Sequence, residues 1–311
     1  MELVLTPDNP IPPGAVCLQV KTADGFLLRS MRARVTSPRG TVVILGGRAD
    51  FMERYFETMR DFMSRGFCVA SLDLRGQGGS QRLTSNPMRG YINRFEQYDE
   101  DVQSLMTQVV LPDCPPPYFA VGHSTGGNIM LRAIRQRNWF KKCVVVSPLL
   151  GLHYGAWPEP VARLLTRVAT ILGVGWAYLP GQRRSPLSRK DFADNPLTSD
   201  ERRWNRDFTA LEKSPELGLG GPTYGWLRAA ITSIDGLSRL KSAKDLRCPV
   251  LMVAAGRDLV VNTEAAYRFA ARVPGVSLVA IPEARHEIML ECDEIREQFL
   301  AAFDAFVAAT D

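Results

Sequence analysis

Short, nearly unbroken apolar runs alternate along this chain with stretches whose apolar residues recur every three or four positions. The runs at 41–45, 67–72, 118–121, 143–146, 250–254 and 276–281 are apolar on both faces, as strands are inside a parallel sheet covered on both sides. Helical spacing fills the intervals at 54–64, 95–109, 128–136, 263–272 and 291–308, and in the last of these Ile295, Phe299, Ala302, Phe303 and Phe306 share one stripe. Ahead of them, residues 15–20 and 26–35 alternate across Asp24-Gly25, which predicts an antiparallel hairpin. Alternating β and α elements with right-handed crossovers predict the α/β class, with a doubly wound, mostly parallel sheet. Sites in such sheets lie at the carboxyl ends of the strands.

One interval breaks this rhythm. Between Pro148 and Val250 lie about a hundred residues with no evident sheet strand, too many for a plain loop in a compact domain. The expectation is a core of residues 1–149 and 235–311, interrupted by a helical cap over 150–234 that covers the strand ends.

The run at 118–121 leads into Gly122-His123-Ser124-Thr125-Gly126 and then into the helical pattern from Asn128. A strand, a G-x-S-x-G turn and a helix in that order form a nucleophile elbow, the arrangement found in α/β-hydrolases. So tight a turn holds the serine in strained backbone angles and leaves no room for Cβ atoms two positions to either side. Gly122 and Gly126 meet that need. The Ser124 hydroxyl is then expected to stand clear of the sheet, at the positive end of a helix.

A serine hydroxyl becomes a nucleophile only when a base takes its proton, and the base needs an orienting partner. In this fold the acid and then the histidine follow the serine along the chain. Of the three histidines, His123 lies inside the elbow and His153 opens the cap, whereas His286 follows a late strand, just before the final helix. Asp258 stands in Gly256-Arg257-Asp258 at the end of the run from 250. Asp235 and Asp245 precede that strand, at the wrong end of the sheet, and Ser147-Pro148 occupies the rival acid position. Ser124, Asp258 and His286 are therefore the expected catalytic residues. An oxyanion needs two preorganised donors. Thr125 N–H is one, and Arg48 N–H, in the loop Gly46-Gly47-Arg48-Ala49-Asp50, is the expected second.

Five segments, in order and spread over nearly the whole chain, carry a family likeness. They are Gly47-Arg48-Ala49-Asp50-Phe51-Met52-Glu53-Arg54-Tyr55, Asp73-Leu74-Arg75-Gly76-Gln77-Gly78-Gly79-Ser80, Gly122 to Gly127, Gly256-Arg257-Asp258 and Arg285-His286-Glu287. Together they resemble the monoacylglycerol lipase and bacterial lysophospholipase branch (serine aminopeptidase-like) of the α/β-hydrolases. The resemblance implies an α/β-hydrolase core with its cap inserted after the sixth strand and a Ser-His-Asp triad working through an acyl-enzyme. It implies no cofactor, and a single-acyl lipid, lysophospholipid or monoacylglycerol, as substrate. A small-ester carboxylesterase or a serine aminopeptidase would use the same triad. A non-catalytic binder would ordinarily have lost one of its members. Two departures bear on the shape of the acyl pocket: many relatives have His-Gly where this chain has Gly46-Gly47, and Met where it has Thr125. Residues 73–80 are expected to form a structural turn, and Glu287 and Glu291 to favour the positive end of the final helix.

Composition narrows the partners. A net charge of +5, with no basic tract interleaved with aromatics, gives no reason to expect nucleic acid. Three histidines without ligand spacing and six cysteines without a C-x-x-C pair argue against a metal site. Glu2, Asp8 and four prolines in the first 14 residues do not read as a leader, and no apolar run reaches the ~18 residues of a membrane span. A cytoplasmic location is expected.

The cap interval holds Trp157, Trp176, Trp204 and Trp226, four of the chain's five tryptophans, and over 151–230 eleven Lys/Arg stand against eight Asp/Glu. Within 160–173, apolar residues recur at helical spacing around Arg163 and Arg167. Trp157, Leu164, Leu165, Val168 and Leu172 are the expected roof of an acyl pocket. A helix of this kind can equally lie on an anionic membrane face, as a peripheral contact, or pack plainly on the core. The sequence leaves these alternatives open, together with acyl length and headgroup.

Overall fold

The structure, a computed structural model, describes residues 2–153 and 158–309. Eight strands form one sheet: β1 (Val16–Lys21), β2 (Leu27–Ala33), β3 (Thr41–Leu45), β4 (Cys68–Leu72), β5 (Tyr118–His123), β6 (Phe140–Val146), β7 (Val250–Ala255) and β8 (Val276–Ile281). Their order across the sheet is β1-β2-β4-β3-β5-β6-β7-β8. The predicted hairpin pairs β1 with β2, and β2 meets β4 antiparallel; every other pairing is parallel.

The doubly apolar runs are explained by this placement. Along β3, Val42 and Ile44 enter the core on one face while Val43 and Leu45 enter the core on the other. On the first face, α1 (Phe56–Ser64) and α9 (Asp293–Ala308) close the layer through Phe62 and Phe303, whose ring centroids lie 4.7 Å apart. The opposite face is covered by α2 (Glu96–Leu105), α4 (Thr125–Gln136), α7 (Tyr224–Ser238) and α8 (Thr263–Arg272). Two predicted helices differ in detail. The pattern from 54 begins as a 3-10 turn, Met52–Tyr55, and the pattern from 95 runs through a π turn, Met106–Val110, into the short α3 (Leu111–Asp113).

Residues 73–80 form the expected structural turn. Asp73 accepts hydrogen bonds from the N–H of Met52 at 2.8 Å and of Gly79 at 2.7 Å. Arg29 on β2 donates to Asp73 at 2.7 Å and to Glu53 at 2.7 Å, with all three side chains buried.

The interval between β6 and β7 is the helical insertion after the sixth strand. It carries α5 (Glu159–Ile171), α6 (Glu201–Lys213) and α7, joined by long loops. Ser233 on α7 donates to Asn128 of α4 at 2.6 Å, and Arg203 on α6 meets Glu57 of α1 at 2.7 Å, so the insertion is fastened to both flanks of the core. Helix α5 packs on α7 through the small side chains Ala162, Thr166 and Ala169, leaving Leu164, Ile171 and Leu172 at 61%, 81% and 70% exposure. No helix among the described residues is long and apolar enough to cross a membrane.

The Arg29 network generates a stability prediction. Arg29→Met strands two buried carboxylates without their shared cation, and the loss should be about 3–5 kcal/mol. It is measured as a drop in the urea midpoint at unchanged slope. Arg29→Lys should recover only part, because one ammonium lacks the fork that reaches both acids. An unshifted midpoint in the Met variant would remove the network from any account of stability.

Candidate active site

Strand β5 ends at His123 and α4 starts at Thr125, so Ser124 alone makes the turn between them. It does so at φ 52° and ψ −113°, a region that non-glycine residues avoid. Three backbone bonds hold it there: Ser124 N–H donates to Val146 O at 2.9 Å, and Ser124 O accepts from Leu149 N at 3.0 Å and Asn128 N at 3.1 Å. A Cβ on Gly122 would stand 2.6 Å from Gly126 O, and one on Gly126 would stand 2.4 Å from Leu45 O. Any larger residue at either position would push the strand and helix apart.

His286 follows β8, and Asp258 follows β7. The two meet, with His286 Nδ1 2.7 Å from Asp258 Oδ2. The other oxygen of Asp258 accepts from the N–H of Val260 at 2.8 Å and of Val261 at 3.0 Å. Burial alone would raise the Asp258 pKa, but His286 and these two amides outweigh it and hold the carboxyl below its ordinary value. A carboxylate locked in this way fixes one imidazole nitrogen as a donor and leaves Nε2 free to accept a proton.

The loop after β3 is shaped from within by Asp50. Its Oδ2 accepts from Gly47 N–H and from Tyr55 Oη, the latter at 2.6 Å, and lies 3.4 Å from His123 Nδ1. Burial disfavours protonated His123, yet the hydrogen bond and charge of Asp50 prevail and raise its pKa. His123 Nε2 lies 3.3 Å from His286 O, so a protonated His123 can donate at both ends and tie the β3 loop to the His286 loop. Arg54 completes the frame by meeting Asp50, Asp207 at 2.7 Å and Glu287 at 2.6 Å. Burial pushes Asp207 up to about 6, the charge of Glu287 adding to the effect while Arg54 and Arg206 oppose it.

These groups surround a cavity of about 470 Å³. Ser124, Thr125, Arg48 and His286 all line it, while Asp258 sits one layer behind His286. Its apolar wall comes from Leu187, Leu197, Trp204, Phe208, Leu211 and Leu219 of the insertion, with Val260 and Val261 from the core.

The expected roof is corrected by this arrangement. Leu164, Leu165, Val168 and Leu172 do not line the cavity; they lie partly or largely in solvent, because α5 buries its small-residue stripe against α7. Trp157 lies outside the described residues. The wall is supplied instead by α6, where Trp204, Phe208 and Leu211 recur at spacings of four and three, a helical stripe present in the sequence. Glu287 and Glu291 are also reassigned. Both are buried ahead of α9, Glu287 on Arg54 and Glu291 accepting from the N–H groups of Arg285 and Ser199, each at 2.9 Å. Asp50, Arg54 and Glu287 lie in the segments that carry the family likeness, but the ion hub that joins them, and Asp207 as its fourth member, became evident only from the fold.

The chain matches the family described as serine aminopeptidase, S33, over residues 36–293. It is 30% identical to lysophospholipase L2 of Escherichia coli K12 over 301 residues, covering 91% of this chain and 84% of that protein. To the monoacylglycerol lipase of Mycolicibacterium smegmatis it is 27% identical over 263 residues, covering 83% and 85%. A solved structure of a soluble variant of monoglyceride lipase from Saccharomyces cerevisiae superposes with a TM-score of 0.73 at 20% identity, covering 99% of this chain and 97% of the other. With the match to the family spanning most of its length, the chain is a hydrolase of the α/β-hydrolase fold and belongs to the serine aminopeptidase S33 family.

Proposed function

We propose that the protein is a serine ester hydrolase that removes the acyl group of a single-acyl lipid through Ser124, His286 and Asp258. The observation that carries this reading is the His286–Asp258 pair opening onto the same cavity as the strained Ser124. Ser124 Oγ attacks the ester carbonyl while His286 Nε2 takes its proton, and Asp258 stabilises the imidazolium. The N–H groups of Arg48 and Thr125 hold the oxyanion. His286 then protonates the departing alcohol, leaving an acyl-enzyme, and afterwards deprotonates the water that hydrolyses it.

The substrate class is supported by the apolar wall from the insertion and by relatives named lysophospholipase and monoacylglycerol lipase. In this reading residues 150–234 form a lid domain over a core of 1–149 and 235–311. The exposed apolar face of α5, flanked by Arg163 and Arg167, is then a contact for an anionic membrane surface rather than a pocket roof. One observation favours a second reading as an aminopeptidase. Asp207 lines the cavity, and its Oδ1, 3.9 Å from Arg206 Nε, makes no hydrogen bond, leaving an acceptor for a peptide's terminal ammonium.

Ser124→Ala should abolish fluorophosphonate labelling and lower ester turnover at least about 10³-fold. Asp258→Asn and His286→Ala should each lose at least about 10³-fold in kcat, with the double variant scarcely worse than His286→Ala. Undiminished labelling of Ser124→Ala, or losses that multiply, would place the chemistry elsewhere.

Across p-nitrophenyl esters, kcat/KM should climb by up to about fourfold per added methylene, from ~0.8 kcal/mol each, until the cavity is full. Leu211→Asp should flatten that climb. A wild type that prefers two-carbon esters would indicate a small-ester carboxylesterase, and one that cleaves aminoacyl p-nitroanilides instead would indicate the aminopeptidase.

Vesicles containing phosphatidylglycerol should retain the protein in flotation, and Leu164→Asp with Ile171→Asp should release it. Failure of the wild type to float with them would remove the membrane role of α5.

A further inference from the structure

The side chain of Arg48 has no role in the reaction described above, which uses only its backbone N–H. It runs from the β3 loop toward the insertion, where Nη2 donates to Gly220 O and the guanidinium carbon lies 5.4 Å from the centre of the Trp226 ring. A Cβ on Gly90 would come within 2.5 Å of Nη2, so the group is closely packed on that side as well. Its Nε is buried and has no hydrogen-bond partner.

Arg48 differs from the arginines that anchor the ion networks in lacking an acid. Arg29, Arg54, Arg75 and Arg203, all largely buried, each meet a carboxylate at 2.7 Å or closer. Among the described residues, Arg48 meets none within ion-pair distance. Burial pushes its pKa down to about 10, which still leaves it a cation at neutral pH. A carbonyl and an indole face compensate a desolvated guanidinium only partly, and an uncompensated buried charge is strongly unfavourable. Arg48 lines the same cavity as Ser124, together with Leu219, Gly220 and Trp226, which surround its guanidinium.

We propose that the Arg48 side chain is the phosphate-binding residue of this cavity, selecting single-acyl lipids with a phosphate headgroup over neutral monoacylglycerols. The inference rests on the ester-hydrolase reading for the position of the acyl ester. In a lysophospholipid five bonds separate the ester oxygen from the phosphorus, roughly 6 Å end to end at ~1.25 Å of advance per bond. That is also roughly the reach of an arginine side chain, so one residue can hold the carbonyl oxygen with its N–H and the phosphate with its guanidinium. The fork geometry of a guanidinium matches two phosphate oxygens, and Nε has no partner within the protein.

The test is direct binding of two non-hydrolysable ethers with the same eight-carbon chain, one bearing a glycerophosphate headgroup and the other glycerol alone. By calorimetry the wild type should prefer the phosphate ether by at least about tenfold, the scale of a charge-assisted hydrogen bond. Inorganic phosphate should compete with that ether and not with the glycerol ether. In Arg48→Met, which keeps the apolar stem, the ratio of the two affinities should fall to near one, and Arg48→Lys should restore part of it. Equal binding of the two ethers by the wild type overturns the proposal, with no need of a folded variant. So does a ratio that survives in Arg48→Met. Failure of the ester-hydrolase reading is distinguishable, because it would remove turnover of the acyl lipids while leaving the Arg48-dependent preference between the ethers intact.

Discussion

Arg54 reaches three carboxylates that belong to three separate stretches of chain: Asp50 in the loop after β3, Asp207 on α6 and Glu287 beside His286. Each of those stretches contributes a different part of the site, respectively the candidate oxyanion donor, the apolar wall and the candidate base. Strand ends position such loops only coarsely. A buried cation shared by three acids fixes them relative to one another, since removing Arg54 would leave the carboxylates desolvated and uncompensated. Behind this hub the Arg29 network anchors Glu53, the neighbour of Arg54, and so joins the hub to the sheet. Because Glu287 adjoins His286, the clamp also bears on the loop that carries the candidate base.

Much of the sheet was legible from the apolar runs, because a strand covered on both faces leaves a run that little else in a soluble chain imitates. The bounds predicted for β3 and β8 agree with those observed. Ser124 was legible for a related reason: its turn excludes Cβ atoms at two fixed positions, and glycine is the one residue that records such a need. Asp258 and His286 were legible through chain order and strand ends, and they prove to be hydrogen-bond partners.

Other features left no trace at short range. Arg54 and Glu287 are 233 positions apart, and nothing local to either identifies the other. Helix α5 misled for a different reason. Periodicity reports that a helix has an apolar face and says nothing of which neighbour covers it; here the contact runs through Ala162, Thr166 and Ala169, and the large side chains are left outside. The true wall on α6 has the same periodicity but is interrupted by Arg203, Arg206 and Asp207. Those charges read as a solvated face until their buried partners are known.

The insertion is also tied directly to the loop that carries His286. Glu287 N–H donates to Leu197 O at 2.8 Å, and Glu291 accepts from Ser199. The guanidinium of Arg285 donates to the carbonyls of Asn195 and Thr198. Residues 195–200 and 285–291 therefore behave as one piece. A door hung on this side could not swing without carrying the His286 loop with it.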